Sequence, residues 1–133
     1  MTGAQAATMP SPTPAEAAVA RMREMSAELR GCAILDRRGR ALAASGDADR
    51  WGRAGAALLD AADAAGDRPA DQVHVATEDG EVFAVRHRSL GIVAVAERFV
   101  LSSLMLFDMR AVLRDLVREL APSAVPAPGT RPR

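Results

Sequence analysis

The segment Gln72-Val-His-Val-Ala-Thr-Glu-Asp-Gly-Glu-Val-Phe-Ala-Val-Arg-His-Arg88 decides the fold. Asp79-Gly80, the preferred pair for a two-residue hairpin turn, separates two stretches rich in valine. The segment therefore predicts an antiparallel hairpin in which Glu78 faces Glu81, His74 faces Val85 and Gln72 faces His87. Alternation then predicts one sheet face made of Val73, Val75, Thr77, Val82, Ala84 and Arg86, and another made of His74, Ala76, Glu78, Glu81, Phe83, Val85 and His87.

Three further strands are predicted around this hairpin. Residues 32–35 and 92–96 are apolar at every position, which is typical of central strands buried on both faces. Residues 41–44, which follow a turn at Gly39, predict a weaker edge strand. Placing the two wholly apolar strands side by side gives the sheet order 2-1-5-4-3, with the second and third strands at the edges.

Three helices complete the pattern. Thr13, Pro14 and Glu16 form a capping-box start for a first helix that we expect to run from Pro14 to about Leu29 and to be terminated by Gly31. A second helix is predicted over residues 50–65, capped by Asp47 or Asp49 and ended by Gly66. A third follows Ser102-Ser103 and runs to about residue 121, where Pro122 stops it.

The resulting order is α-β-β-α-β-β-β-α. It predicts an α/β fold of the α+β sandwich type, with a five-stranded antiparallel sheet and helices on both faces. We expect one domain over residues 14–121. Residues 1–13 and 122–133 are rich in Pro, Ala, Ser and Thr and predict disordered tails.

Composition excludes several classes of function. The 133 residues carry 17 basic and 17 acidic groups, so no global field attracts nucleic acid or an anionic membrane. All 17 basic residues are arginine, and lysine, asparagine and tyrosine are absent. This removes lysine Schiff bases, the lysine of phosphate-binding loops and tyrosine acid–base chemistry. No apolar run reaches the length of a membrane span and no signal peptide is apparent, so we expect a cytoplasmic protein without an integral membrane segment.

The candidate reactive residues are few. His74 and His87 fall on one predicted sheet face as diagonal neighbours, where they form either a weak metal site with Glu78 or Glu81, or two ordinary surface histidines. Cys32 lies in an apolar strand, which predicts a buried and inert thiol. No nucleophile can be paired with a base, so we expect no catalytic residue, no metal and no cofactor, and we predict that the chain is not an enzyme.

Two features have both a binding and a structural interpretation. The turn Arg37-Arg38-Gly39-Arg40 is the one local basic cluster, and it either contacts an acidic partner or a phosphate, or is a plain exposed turn. The small residues of the second helix, around Gly55, allow another backbone to approach closely. They serve either packing onto the domain's own sheet or a helix–helix contact between subunits.

The joint order of these segments resembles the Roadblock/dynein light chain family, in particular its bacterial members. The resemblance rests on Gly31-Cys-Ala-Ile-Leu-Asp-Arg-Arg-Gly-Arg-Ala-Leu42, on the hairpin 73–85, on the strand 90–96 and on the helix segment 107–116. It covers roughly residues 15–120.

The resemblance implies a homodimer in which the third strands pair edge to edge and the second helices pack together. Carried over by position, this implies a strand interface formed by Gln72, Val73, Val75 and Thr77. It also implies a helix interface formed by Trp51, Ala54, Gly55 and Leu58. Bacterial members serve small Ras-like GTPases as activating proteins or scaffolds. The alternative function is a small-ligand sensor of the PAS, GAF or profilin-like kind, whose pockets gather aromatic and convergent polar groups.

Overall fold

The computed structural model describes residues 11–121, where the predicted order of three helices and five strands is confirmed. The predicted tails 1–13 and 122–133 lie outside the described residues, apart from residues 11–13. The helices are α1 (Pro14–Met25), α2 (Ala48–Ala65) and α3 (Ser102–Leu120). The strands are β1 (Leu29–Leu35), β2 (Ala41–Ala44), β3 (Gln72–Ala76), β4 (Glu81–His87) and β5 (Leu90–Ala96).

The five strands form one antiparallel sheet in the predicted order β2-β1-β5-β4-β3. β1 and β5 lie at its centre, with Ala33 opposite Val93 and Ile34 opposite Ile92. All four of these residues are buried. β3 lies at one edge and β2 at the other, so the position predicted for the third strand is confirmed.

Helices cover both faces of the sheet, as predicted. α1 and α3 pack on one face around a core that includes Met22, Phe83, Ile92, Met109 and Leu113. α2 packs on the other face, where the buried side chains are Ala33, Leu35, Leu59, Ala84 and Val93. Because β1 and β5 contribute to both cores, neither layer can form without the sheet between them.

The start of α1 is confirmed and its predicted end is wrong. The Thr13 hydroxyl accepts a hydrogen bond from the Glu16 amide at 3.1 Å, and the Glu16 carboxylate accepts one from the Thr13 amide at 2.9 Å. The helix ends at Met25, because Leu29 pairs with Ala96 and already belongs to β1. Gly31, the predicted end of the helix, therefore lies inside a strand.

The starts of α2 and α3 differ slightly from the prediction. Asp47 is the N-cap of α2, accepting a hydrogen bond from the Arg50 amide at 3.2 Å, and the helix begins at Ala48 rather than Arg50. Gly66 ends α2 as predicted. α3 includes Ser102 and Ser103.

The β3–β4 hairpin forms with a register that differs from the prediction by two residues. His74 lies opposite Phe83, not Val85, and Gln72 lies opposite Val85, not His87. The physical reason is Thr77: its hydroxyl accepts hydrogen bonds from the amides of Asp79 and Gly80 at 3.2 and 3.1 Å. This local bonding lengthens the turn to residues 77–80. Because the shift is two residues, the predicted composition of each face stays correct.

The end of α2 is tied to β4 by a two-pronged ion pair. The Arg86 guanidinium donates to both carboxylate oxygens of Asp63, at 2.7 and 3.0 Å, and to the Ala70 carbonyl at 3.0 Å. Asp63 also accepts the Ala70 amide at 2.8 Å. The hydrogen bond from Arg86, followed by that from Ala70, lowers the pKa of Asp63. The loop between α2 and β3 is held by this cluster.

Replacing Gly80 by alanine should destabilise the hairpin. A Cβ atom at Gly80 would lie 2.6 Å from the Ala96 carbonyl oxygen and 2.9 Å from Arg30 Nη1, so the β5 backbone must shift. We expect G80A to lower the free energy of unfolding by about 2 kcal/mol. Urea denaturation at one protein concentration measures this. The control is G66A, whose added Cβ lies no closer than 3.7 Å to its neighbours. Equal midpoints for G80A and G66A would contradict the packing argument.

The ion pair predicts a pH-dependent stability difference between the wild type and Asp63→Asn. The folded-state pKa of Asp63 is lowered, so its contribution is complete above the unfolded value of about 4 and is lost as pH falls through the folded value. We expect the wild type to melt at a higher temperature than D63N at pH 7. The difference in Tm should shrink as the pH falls below about 4. A Tm difference between the wild type and D63N that stays constant with pH would contradict this role of the Asp63 carboxylate.

Candidate protein-interaction surface

The outer edge of β3 carries unsatisfied backbone groups within the part of the chain that the structure describes. β3 pairs only with β4, and this pairing uses alternate residues. The Asp71 carbonyl accepts the Arg86 amide at 2.8 Å, and the Thr77 amide donates to the Gly80 carbonyl at 2.8 Å. By alternation, the backbone groups of Gln72, His74 and Ala76 point to the open edge. An edge of this kind is a template for pairing with another strand.

An incompletely covered row of valines continues from this edge across the sheet. Val75 lies opposite Val82, and Val82 lies opposite Val95, so the three side chains stand side by side on the α2 face. Val75 is 40% exposed, and Val82 and Val95 are half-buried. The neighbouring row, which includes Ala84 and Val93, is buried beneath α2. The valine row (Val75, Val82 and Val95) is therefore an apolar surface that α2 leaves open.

Two of the four helix residues predicted for the interface pack inward. The indole Nε1 of Trp51 donates to the Ser45 carbonyl at 2.7 Å, and the ring lies against Gly31. Gly55 is buried, and a Cβ there would lie 2.7 Å from Leu35 Cδ1 and 3.2 Å from Val93 Cγ2. Of the two interpretations of the small residues around Gly55, the structure favours packing onto the domain's own sheet.

The other predicted interface residues lie nearer the surface. Ala54 is exposed on α2 and Leu58 is half-buried. On β3, Gln72 and Val75 are exposed and Val73 is half-buried, packing on the α2-side core. Thr77 is exposed, but its hydroxyl is used in the turn. The chain alone does not test the interface, which stays a prediction carried mainly by β3.

The buried Glu81 carboxylate binds groups on the other face of the sheet, the α3 side, next to β3. The His74 ring stacks on Phe83 with ring centres 4.4 Å apart, and its Nε2 lies 2.6 Å from one oxygen of Glu81. The other Glu81 oxygen accepts the Phe99 amide at 2.7 Å. This bond holds Phe99 in the left-handed region, at φ 62°, with its ring 84% exposed under the Arg98 guanidinium. No local pattern in the sequence indicated this arrangement, because its three members come from β3, β4 and the loop after β5.

The structure does not bring the two histidines together. Since His74 lies opposite Phe83, His87 is four residues further along β4, and the predicted diagonal neighbourhood is wrong. The cause is the two-residue shift of the hairpin. Within residues 11–121, no group of three or more His, Cys, Asp or Glu side chains is placed to hold a metal ion.

Cys32 is buried, as the apolar strand predicts. Its Sγ lies 4.0 Å from the Val19 carbonyl, and burial raises the pKa of the thiol to about 11. The thiol is therefore protonated at neutral pH and is a poor nucleophile. Between residues 11 and 121, no serine or cysteine side chain hydrogen-bonds to a histidine.

The arginine turn is ordered by its own aspartate. The Asp36 carboxylate accepts the amides of Arg38 and Arg40 at 2.8 and 3.0 Å, and these hydrogen bonds, that from Arg40 foremost, lower its pKa. Gly39 takes the left-handed conformation that the turn needs, at φ 82°. The side chains of Arg37 and Arg38 are exposed.

The larger hollows of the described residues are open surface grooves. One of about 650 Å³ lies between the β4–β5 turn and the end of α3, lined by residues that include His87, Arg88, Leu90, Arg114 and Val117. A second groove, of about 530 Å³, lies between α2, the β1–β2 turn and the β4–β5 turn. Neither resembles the enclosed, aromatic-lined pocket expected of a ligand sensor. Among the described helices, none is both long and apolar enough to cross a bilayer.

Comparison with known proteins identifies the fold. No family model matches the chain, and no curated protein matches it. A Roadblock/LC7 domain from Streptomyces avermitilis superposes with a TM-score of 0.69 at 15% identity, over 78% of this chain and 94% of that one. The gliding protein MglB from Thermus thermophilus gives a TM-score of 0.65 at 17% identity, over 84% of this chain and 94% of its own.

Profilins have a similar fold. Profilin from Schizosaccharomyces pombe gives a TM-score of 0.61 at 15% identity, over 80% of this chain and 99% of the profilin. The Roadblock/LC7 domain gives the higher TM-score of the two.

Proposed function

We propose that this chain, which has the fold of Roadblock/LC7 domains, forms a homodimer that binds a small Ras-like GTPase as a regulator or scaffold. The observation that carries the proposal is the β3 edge: open backbone groups lie directly beside the valine row. A surface that offers strand pairing and apolar contact together suits a second protein chain better than a small molecule.

A second copy of the chain fits the edge by symmetry. Two β3 strands paired antiparallel about a two-fold axis would join the sheets into one of ten strands. The outward amides and carbonyls of Gln72, His74 and Ala76 would then be bonded. The valine rows of the two protomers would meet on the α2 face. Ala54, which is exposed on α2, is the helix residue that the resemblance assigns to a contact with the partner's helix.

The GTPase partner is supported by the resemblance of the sequence to bacterial Roadblock proteins and by the likeness of the fold to MglB. The described residues support action by contact rather than catalysis. Cys32 is buried with a raised pKa, and within residues 11–121 no serine or cysteine side chain hydrogen-bonds to a histidine. The profilin likeness leaves a ligand sensor as the alternative, but the open, arginine-lined grooves favour the protein partner.

A charge placed in the valine row should separate the protomers. We expect Val75→Asp to convert a dimer into a monomer, because the carboxylate would be desolvated in the apolar contact. The matched control is Leu42→Asp: Leu42 is 43% exposed on β2, at the opposite sheet edge, and that variant should stay dimeric. Sedimentation equilibrium at micromolar concentrations measures the mass of each. A monomeric wild type, or equal masses for V75D and L42D, would overturn the proposed dimer.

A proline at the open edge tests strand pairing separately. Ala76 points its amide outward, so Ala76→Pro removes a donor from the dimer edge without removing a β3–β4 bond. We expect A76P to weaken the dimer at least tenfold and to keep a circular dichroism spectrum like that of the wild type. An A76P protein that dimerises as tightly as the wild type would contradict pairing through β3.

Affinity capture from the native lysate tests the GTPase. The wild type, V75D and L42D serve as baits, each with excess GDP and with a non-hydrolysable GTP analogue. We expect a Ras-like GTPase with the wild type and with L42D, and less of it with V75D. Enrichment with the analogue alone would indicate an activator or effector, and equal enrichment a scaffold, since a binder without state preference shifts no equilibrium. Absence of any GTPase in both states would overturn this part of the proposal.

A further inference from the structure

The face of β3 on the α3 side of the sheet, formed by the side chains of Gln72, His74 and Ala76, is exposed, and we call it the floor. α1 and α3 share this face of the sheet, and α3 packs on β4 and β5 through a core that includes Phe83, Ile92, Ala94 and Met109. The β3 side chains on this face, which are Gln72, His74 and Ala76, are all exposed. No described helix lies over them.

The side of α3 next to this floor carries one apolar side chain, Phe107, followed by two basic side chains in the next two helical turns. Phe107, Arg110 and Arg114 lie three and four residues apart and share one side of the helix. The Arg110 guanidinium donates to the Gln72 side-chain oxygen, which shows that this side faces β3. Phe107 is 60% exposed, although it is a large aromatic residue. Phe99, held by Glu81, projects near the end of the floor where β3 stops.

Pairing of two β3 strands would turn this floor into a groove of defined width. With α3 above β4 and β5, each α3 axis would lie about two strand spacings from the two-fold axis. The two α3 axes would then be about 19 Å apart. Helices pack at about 8–10 Å between axes, so one further helix fits between the two α3 helices and in contact with both.

We propose that the two α3 helices and the paired β3 strands of the dimer form a groove that binds one amphipathic helix with acidic flanks, supplied by a partner protein. This inference rests on the proposed homodimer, because each protomer contributes one wall. Phe107 of each protomer contacts the apolar side of the bound helix, and Arg110 and Arg114 contact its acidic flanks. This is recognition of a helix in a groove.

Charge favours an acidic helix from a partner protein over residues 1–10 and 122–133 as the occupant. Among residues 11–121, no carboxylate forms an ion pair with Arg110 or Arg114, so the two protomers present four arginines to the groove. Residues 1–10 contain no Asp or Glu, and residues 122–133 contain none and carry two arginines. Neither segment supplies the negative charge that complements the walls. We therefore assign the occupant to another protein.

A designed peptide tests the groove without knowledge of the natural partner. The probe is a fluorescein-labelled 18-residue helix with a leucine stripe and glutamate flanks, titrated with the full chain and followed by anisotropy. We expect saturation at one peptide per two chains and weaker binding at high salt. The same peptide with lysine in place of glutamate should bind at least tenfold more weakly.

Two variants locate the binding. We expect Phe107→Ser and the double variant R110E/R114E each to weaken binding of the acidic peptide at least tenfold, with the dimer mass unchanged. Leu42→Ser, at the far sheet edge, should bind as the wild type does. Equal binding by F107S and L42S would overturn the groove.

The outcomes separate this inference from the dimer itself. A dimer that binds neither peptide would overturn the groove and leave the dimer standing. A monomeric wild type would overturn both, and a monomer that binds the peptide one to one would show a site without a second wall. Equal affinity for the acidic and basic peptides would show that binding is non-specific and hydrophobic. Binding to phosphatidylglycerol vesicles but not to the acidic peptide would assign the surface to membranes. Either result would overturn the proposal.

Discussion

The pairing of β1 with β5 is the constraint on which the rest of the structure depends. Cys32, Ala33 and Ile34 lie opposite Ala94, Val93 and Ile92, and all six residues are buried. Two adjacent strands with apolar side chains on both faces must be covered on both faces, since apolar surface left in water is costly. This requirement places α1 and α3 on one side and α2 on the other. It also leaves β3 and β2 at the edges, where the sheet is open.

Small residues determine how closely α2 packs against the sheet. Gly55 lies against Leu35 and Val93, and Gly52 lies against the backbone of the β1–β2 turn, where a Cβ would meet the Gly39 carbonyl at 3.0 Å. The helix rests mainly on β1 and on the edge strand β2, away from the β3 side of the sheet. The valine row is left partly exposed for this reason. The packing that stabilises the monomer thus creates the apolar surface on which the proposed dimer depends.

The two faces of β3 differ in what they offer to other proteins. On the α2 side, the valine row and the open backbone edge suit a second copy of the chain. On the α3 side, Phe107, Arg110 and Arg114 present an apolar and basic wall above the exposed side chains of β3. Both surfaces lack the enclosed shape of a small-molecule site. Both surfaces lie at one sheet edge, so the dimer and the groove that we propose would share β3.

The sequence by itself determined the element order, the sheet order 2-1-5-4-3, the capping of α1 and the two sides of the hairpin. These features depend on periodicity and on capping residues such as Thr13 and Glu16, which act over a few residues. The hairpin register, the end of α1 and the inward packing of Trp51 and Gly55 were decided by tertiary structure. Thr77 reshaped the turn, Leu29 was drawn into pairing with Ala96, and α2 needed its smallest residue where it crosses Leu35. The bond from Glu81 to Phe99 joins segments that are distant in the sequence, so only the folded sheet could bring them together.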